Sequence, residues 1–136
     1  MASPAAAGAI EQYLRDVWNV SPLVFENEQP ASLSNGDTFL LVEIFGRLFD
    51  LASIGAEQPE GNLWREEGTL WLHVMMPVWT GTATGRQHAW QLARLFLAQP
   101  IAGIEFRRAQ VGMGDPVEVD GAYARMTVSL DWTRDE

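Results

Sequence analysis

The residues of this chain best suited to acid and base work are His73, His88 and the carboxylates Glu66, Glu67, Asp115, Glu118 and Asp120. Neither histidine stands in a metal or nucleophile motif. The chain has no H-E-x-x-H, no G-x-S-x-G, no Walker phosphate loop and no G-x-G-x-x-G after a strand. Cysteine is absent, which removes thiolate nucleophiles, disulfides and Cys-ligated metals. All nine cations are arginine, so no lysine can form a Schiff base. Glu66 and Glu67 are adjacent on an expected strand and point to opposite faces, so they do not converge on one substrate. Asp115-Pro116 and Asp120-Gly121 are turn sequences first. Gly81 to Gly85 ahead of a helix could hold an anion at the helix start, but a flexible approach to the helix accounts for the same residues. The expectation is a protein that is not an enzyme, with no cofactor and no metal.

What stands out instead is apolar: six tryptophans in 136 residues. Trp71, His73 and Met75 alternate with Leu70, Leu72, Val74 and Met76, so one strand offers large side chains on both faces. Either the same chain covers both faces or a neighbouring subunit covers one. Trp64 and Trp79 fall in connections, where a core role is harder to arrange, and tryptophan is enriched at protein interfaces. With Leu63 and Phe49 on the same expected hairpin, the candidate subunit-interface residues are Trp64, Leu63, Phe49, Trp71 and Trp79.

These residues need elements to position them. Ile10, Tyr13, Leu14, Val17 and Trp18 recur at helical spacing, with Ser3-Pro4 suited to start the helix and Ser21-Pro22 to stop it. Leu23-Val24-Phe25 is a short extended piece, and residues 26–37 read as a loop. Residues 37–47 and 68–78 are rich in Thr, Val, Ile, Phe and Trp and predict two strands paired antiparallel. Leu48, Phe49, Leu51 and Leu63-Trp64 can prolong them into a hairpin extension over about 48–67. Ala89, Leu92, Ala93 and Phe96 predict a second helix, with Thr82 or Thr84 as cap and Pro100 as terminator. Residues 104–111 and 123–132 predict two further strands. In the last, Ala124, Met126, Val128, Leu130 and Trp132 alternate with Arg125, Thr127, Ser129 and Asp131, the first set expected buried and the second wet. Strands that come in hairpins rather than alternating with helices give the α+β class: an antiparallel sheet with two helices packed on one face.

Length and composition agree with one folded domain over residues 1–136: 47% of residues are hydrophobic and 20% charged. No apolar run approaches the roughly 20 residues of a membrane helix. The Ala-rich start lacks the basic region of an export signal, so synthesis in the cytoplasm is expected. A formal net charge of −9 disfavours phosphate binding, and the one dense basic spot is the pair Arg107 and Arg108.

The order of segments resembles the small tail terminator, or tail completion, proteins of tailed bacteriophages. The residues that carry the likeness are Phe25-Glu26-Asn27 after the first helix and the strand Glu67-Gly68-Thr69-Leu70-Trp71-Leu72-His73-Val74. Pro77 followed by Thr80-Gly81, and the helix with Ala89, Leu92, Ala93 and Phe96, complete it. Trp79 departs from the small or polar residue expected in that turn. The resemblance implies a structural virion protein of the tail and neck region, made in the cytoplasm of the host bacterium. It would form a homo-oligomer, a six-membered ring that caps the tail tube, ends tail growth and joins the tail to the head connector. Its partners would be the tail tube protein and a connector or neck protein. Other neck proteins have similar sizes and remain an alternative, as does a small ligand-binding α+β domain.

A ring through which DNA passes without being held should keep cations off its lumen, because each Arg or Lys that neutralises a phosphate tightens binding. Asp50, Glu57, Glu60, Glu66 and Glu67 on the hairpin are the candidates for that acidic wall.

Overall fold

A computed structural model describes residues 2–26, 38–51, 64–77, 81–113 and 123–135, with the backbone alone at Leu48, Asp50, Leu51, Gly112, Met113 and Tyr123. Its elements in chain order are α1 (Pro4–Val17), β1 (Leu23–Phe25), β2 (Phe39–Leu51), β3 (Trp64–Pro77), α2 (Ala83–Leu97), β4 (Ile104–Met113) and β5 (Tyr123–Asp135). The five strands form one sheet in the order β1-β2-β3-β5-β4. The α+β class therefore holds, but the sheet is mixed. β2, β3, β5 and β4 pair antiparallel as expected, whereas β1 lies parallel to β2, with Leu23 opposite Leu40 and Phe25 opposite Val42. Three residues carry too short a pattern to announce a direction, and the loop reading of residues 26–37 left the return path open.

Alternation decides the faces. Leu40, Val42 and Ile44 of β2 stand beside Leu70, Leu72 and Val74 of β3, and these beside Met126, Val128 and Leu130 of β5; all are buried. Onto this face pack Ala6, Ile10, Leu14 and Trp18 of α1 and its end, with Ala89, Leu92, Ala93 and Phe96 of α2, in one apolar core. Each fully buried large aliphatic side chain contributes about 1.5 to 3 kcal/mol. The two helices are fastened to each other by the Tyr13 hydroxyl, which donates to the Leu95 carbonyl at 2.9 Å, and by edge contact of Tyr13 with Phe96.

Helix starts follow the sequence in one case and not in the other. Ser3 caps α1 by accepting from the Ala6 amide, with Pro4 at the first helical position. Thr82 occupies the cap position of α2, yet its hydroxyl makes no capping bond and instead accepts from Arg86 Nε at 3.0 Å. Gly85 is glycine for packing: a Cβ there would fall on Met76 Sδ.

Val17, placed on the apolar stripe of α1 by its spacing, is exposed. Thr127 and Ser129, expected wet, are buried, standing opposite His73 and Trp71 of β3 in the register.

Candidate interaction surface

The far face of the sheet, away from the helices, holds the side chains that sequence spacing could not resolve into core or surface. His73 is buried there between two partners. Its Nε2 lies 3.0 Å from Glu43 Oε1 and its Nδ1 2.7 Å from Thr127 Oγ1. With Nε2–H donating to the carboxylate, Nδ1 accepts the threonine hydroxyl, which is the neutral tautomer. Burial pulls the His73 pKa below its ordinary value, and Arg125 adds to the fall, while Glu43 opposes both. His73 thus serves as a tie across β2, β3 and β5. Trp71 stands edge-on to His73 and to Phe45, and both Phe45 and Trp71 are exposed.

Two β-bulges shape the end of this face. Register shifts between Gly46 and Leu48 in β2 and between Arg107 and Ala109 in β4. Arg108, at the second bulge, has φ +53°, a conformation uncommon outside glycine. Arg47, Arg107 and Arg108 line a depression of about 250 Å³ with Glu67 and Asp131. Arg47 bonds Glu67 at 3.3 Å. The basic pair of the sequence is therefore joined by a third arginine and answered by two carboxylates. Between the bulges Gly68 admits no side chain, since a Cβ there would collide with the Phe45 carbonyl and the Trp132 ring.

On the hairpin stem Phe49 and Trp64 stack, with ring centroids 5.5 Å apart and planes 16° from parallel. Phe49 is exposed and Trp64 half-buried. Glu66, opposite Phe49 in register, corrects one expectation. Its carboxylate accepts from the Ser3 amide at 2.7 Å and the Ser3 hydroxyl at 2.6 Å, and lies 3.6 Å from Arg134. A buried carboxylate so engaged ties the hairpin stem to the start of α1 and is no free charge for a channel wall. Glu67 points to the other face, as alternation requires. Asp50 pairs with Arg65 in the backbone register, and Arg65 makes a two-bonded ion pair with Asp135 at 2.8 and 3.0 Å. Leu63, Trp79, Glu57 and Glu60 lie outside the described residues. Of the other tryptophans, Trp18 and Trp132 are core and Trp90 is exposed on α2.

The sequence pattern did not reveal a groove. Between the second halves of α1 and α2 lies a cleft of about 590 Å³, lined by Tyr13, Val17, Trp18, Val20 and Leu95 with Arg94 as its one charged residue. Val17 reads from its spacing as core, so the one signal for the cleft in the sequence is Val20, apolar and just past the helix. Trp18 forms one wall, its indole N–H donating to the Ser21 hydroxyl at 3.0 Å and its ring edge-on to buried His88. Burial lowers the His88 pKa below its ordinary value. Among the described residues no group of three His, Asp or Glu is placed to hold a metal ion, and no described helix is long and apolar enough to cross a membrane.

No family model matches the chain and no curated protein is significantly similar to it. Seventeen solved chains are similar to it. One, whose name conveys no function, superposes with a TM-score of 0.65 at 22% identity, covering 98% of this chain and 95% of its own. That likeness is one of fold.

Proposed function

We propose that this chain is a structural subunit of the tail terminator type, which closes with copies of itself into a ring on the phage tail tube. The observation that carries the reading is the placement of large apolar side chains that the chain does not bury: Phe45 and Trp71 on the far face, Phe49 on the hairpin, and Val17, Val20, Trp90 and Leu97 on the helix layer. Closed rings need a heterologous interface, two different patches on one molecule. An isologous dimer would need only one. The resemblance of segment order supplies the tail tube and connector proteins as the further partners, and the virion as the location.

In that ring the acidic wall would come from Asp50, Glu57, Glu60 and Glu67, Glu66 being spent inside the fold. DNA should then pass without measurable affinity even at low salt.

A second reading has one observation in its favour. The α1–α2 cleft falls within the roughly 300–1,000 Å³ of small-molecule sites and is mostly apolar, as such sites are. Native mass spectrometry separates the two. A closed oligomer at micromolar concentration is expected; a strict monomer that is also missing from purified tails would overturn the ring.

A further inference from the structure

We propose that the depression between the two β-bulges of the far face is a binding site for one phosphate-type oxyanion, held by Arg107 and Arg108. The inference goes beyond the ring reading and does not depend on it.

Each bulge adds an arginine to the sheet. In β2 the register passes from Gly46 opposite Gly68 to Leu48 opposite Glu67, which leaves Arg47 as the extra residue. In β4 it passes from Arg107 opposite Asp131 to Ala109 opposite Leu130, which leaves Arg108. The two irregularities flank one row of the sheet, because Gly46, Gly68, Trp132 and Phe106 are register partners in turn. A regular strand would send Arg107 and Arg108 to opposite faces. Here Phe106 and Ala109, on either side of the pair, both pack against the helix-covered core, and the two arginines between them line the same depression. A bulge re-aims side chains in this way. Arg108 keeps φ +53° to do so, and strain of that kind in a residue other than glycine gathers at ligand clamps.

Three of the nine arginines meet at this spot, in a chain with 18 carboxylates to oppose them. The two local carboxylates are already engaged. Arg47 bonds Glu67 at 3.3 Å, and Asp131 accepts from the Thr69 hydroxyl at 3.4 Å. Among the described residues, exposed Arg107 and Arg108 make no hydrogen bond or ion pair. Two guanidiniums without a partner offer two positive charges and forked N–H donors. These suit the dianion of a phosphate or phosphate monoester better than a single carboxylate. The depression, about 250 Å³, is smaller than the roughly 300 to 1,000 Å³ of sites that enclose a whole small molecule, so it takes the phosphate group and leaves its carrier outside. With Glu67 and Asp131 beside the arginines, a run of DNA phosphates laid across the face meets both signs. A site for one small oxyanion is thus compatible with DNA passing unheld.

The test is a titration of the isotope-labelled chain with inorganic phosphate at low salt, following the arginine side-chain Nε–H signals by NMR. The Arg107 and Arg108 signals should shift together and saturate, while those of Arg86 and Arg94 on α2 stay in place. Arg108→Gly removes the cation and relieves the positive φ, so the variant should melt at or above the wild-type temperature and bind phosphate roughly tenfold more weakly or worse. Acetate, with one charge, should bind wild type more weakly than phosphate by a similar factor. Duplex DNA at equal phosphate concentration should leave both signals unmoved. Shifts that never saturate, or that persist unchanged in Arg108→Gly, would overturn the site. Acetate binding as tightly as phosphate would overturn the choice of phosphate, and tighter binding of DNA would overturn the small oxyanion in favour of a nucleic-acid backbone.

Discussion

The two faces of the sheet are built from the same strands by opposite rules. Toward the helices, Leu70, Leu72, Val74, Val128 and Leu130 form an unbroken aliphatic layer with no polar partner to satisfy. On the far face the intervening residues include Trp71, His73, Thr127, Asp131 and Glu43, joined by directional bonds and edge-on ring contacts. One face is specified by volume and hydrophobicity, and the other by geometry. Volume suffices to fold a chain. Fixed polar and aromatic positions on the second face cost rotamer freedom that folding alone does not require, and they leave Phe45 and Trp71 in water.

The comparison breaks most visibly at two neighbouring residues. Leu72→Ala should cost roughly 2 to 5 kcal/mol of unfolding free energy in urea, as a cavity in the helix-covered core. Trp71→Ala, one residue away, should cost no more than about 1.5 kcal/mol, the scale of its edge-on ring pairing with Phe45. Equal losses at both positions would mean that the far face is core as well.

A second break lies where helix and hairpin meet. Glu66→Ala removes the carboxylate beside Arg134 and takes the acceptor from the Ser3 amide and hydroxyl, at a cost of about 3 kcal/mol. Ser3→Ala removes one tie and the cap, at about 1 kcal/mol. The double variant should fall short of the sum of the two, because both act on one contact; strict additivity in denaturation curves would contradict the tie.

How far the sequence foretold these elements depended on the kind of information each needs. Period alone located α1, α2 and the inward set of β5, because burial of Ile10, Leu92 or Val128 needs only a partner somewhere on that side. It also extended the hairpin correctly to Leu51 and Trp64. The direction of β1, the bulges at Arg47 and Arg108, and the burial of Thr127 and Ser129 depend on which strand lies next to which. That is a three-dimensional fact with no local signature. Glu66 was misjudged for the same reason, since its partner Ser3 is 63 residues away. The groove was missed because its walls come from two helices that sequence periodicity treats one at a time.

The smallest expected effect sharpens the contrast between the faces through pH. His73 on the far face and His88 under Trp18 both have folded pKa values below the ordinary 6.5, with burial the largest cause. The unfolded chain therefore takes up protons first as pH falls below about 6.5, and stability present above that value is lost toward the folded pKa values. Urea midpoints should drop between pH 7.5 and 5, and His73→Gln should reduce the drop relative to wild type. An unchanged slope in His73→Gln would show that the far-face histidine does not titrate with folding.

The strand order has a consequence for how the chain is made. β5, last of the five strands in chain order, lies inside the sheet between β3 and β4, and its pairs with β3 join residues such as Thr69 and Asp131. Until β5 leaves the ribosome, β3 offers a bare edge and β4 has no strand to join, so the growing polypeptide carries unsatisfied backbone flanked by its most apolar residues. Such edges invite pairing with other chains. A nascent chain cut short before β5 loses the middle of the sheet rather than its margin. It should aggregate rather than persist as a slightly smaller protein.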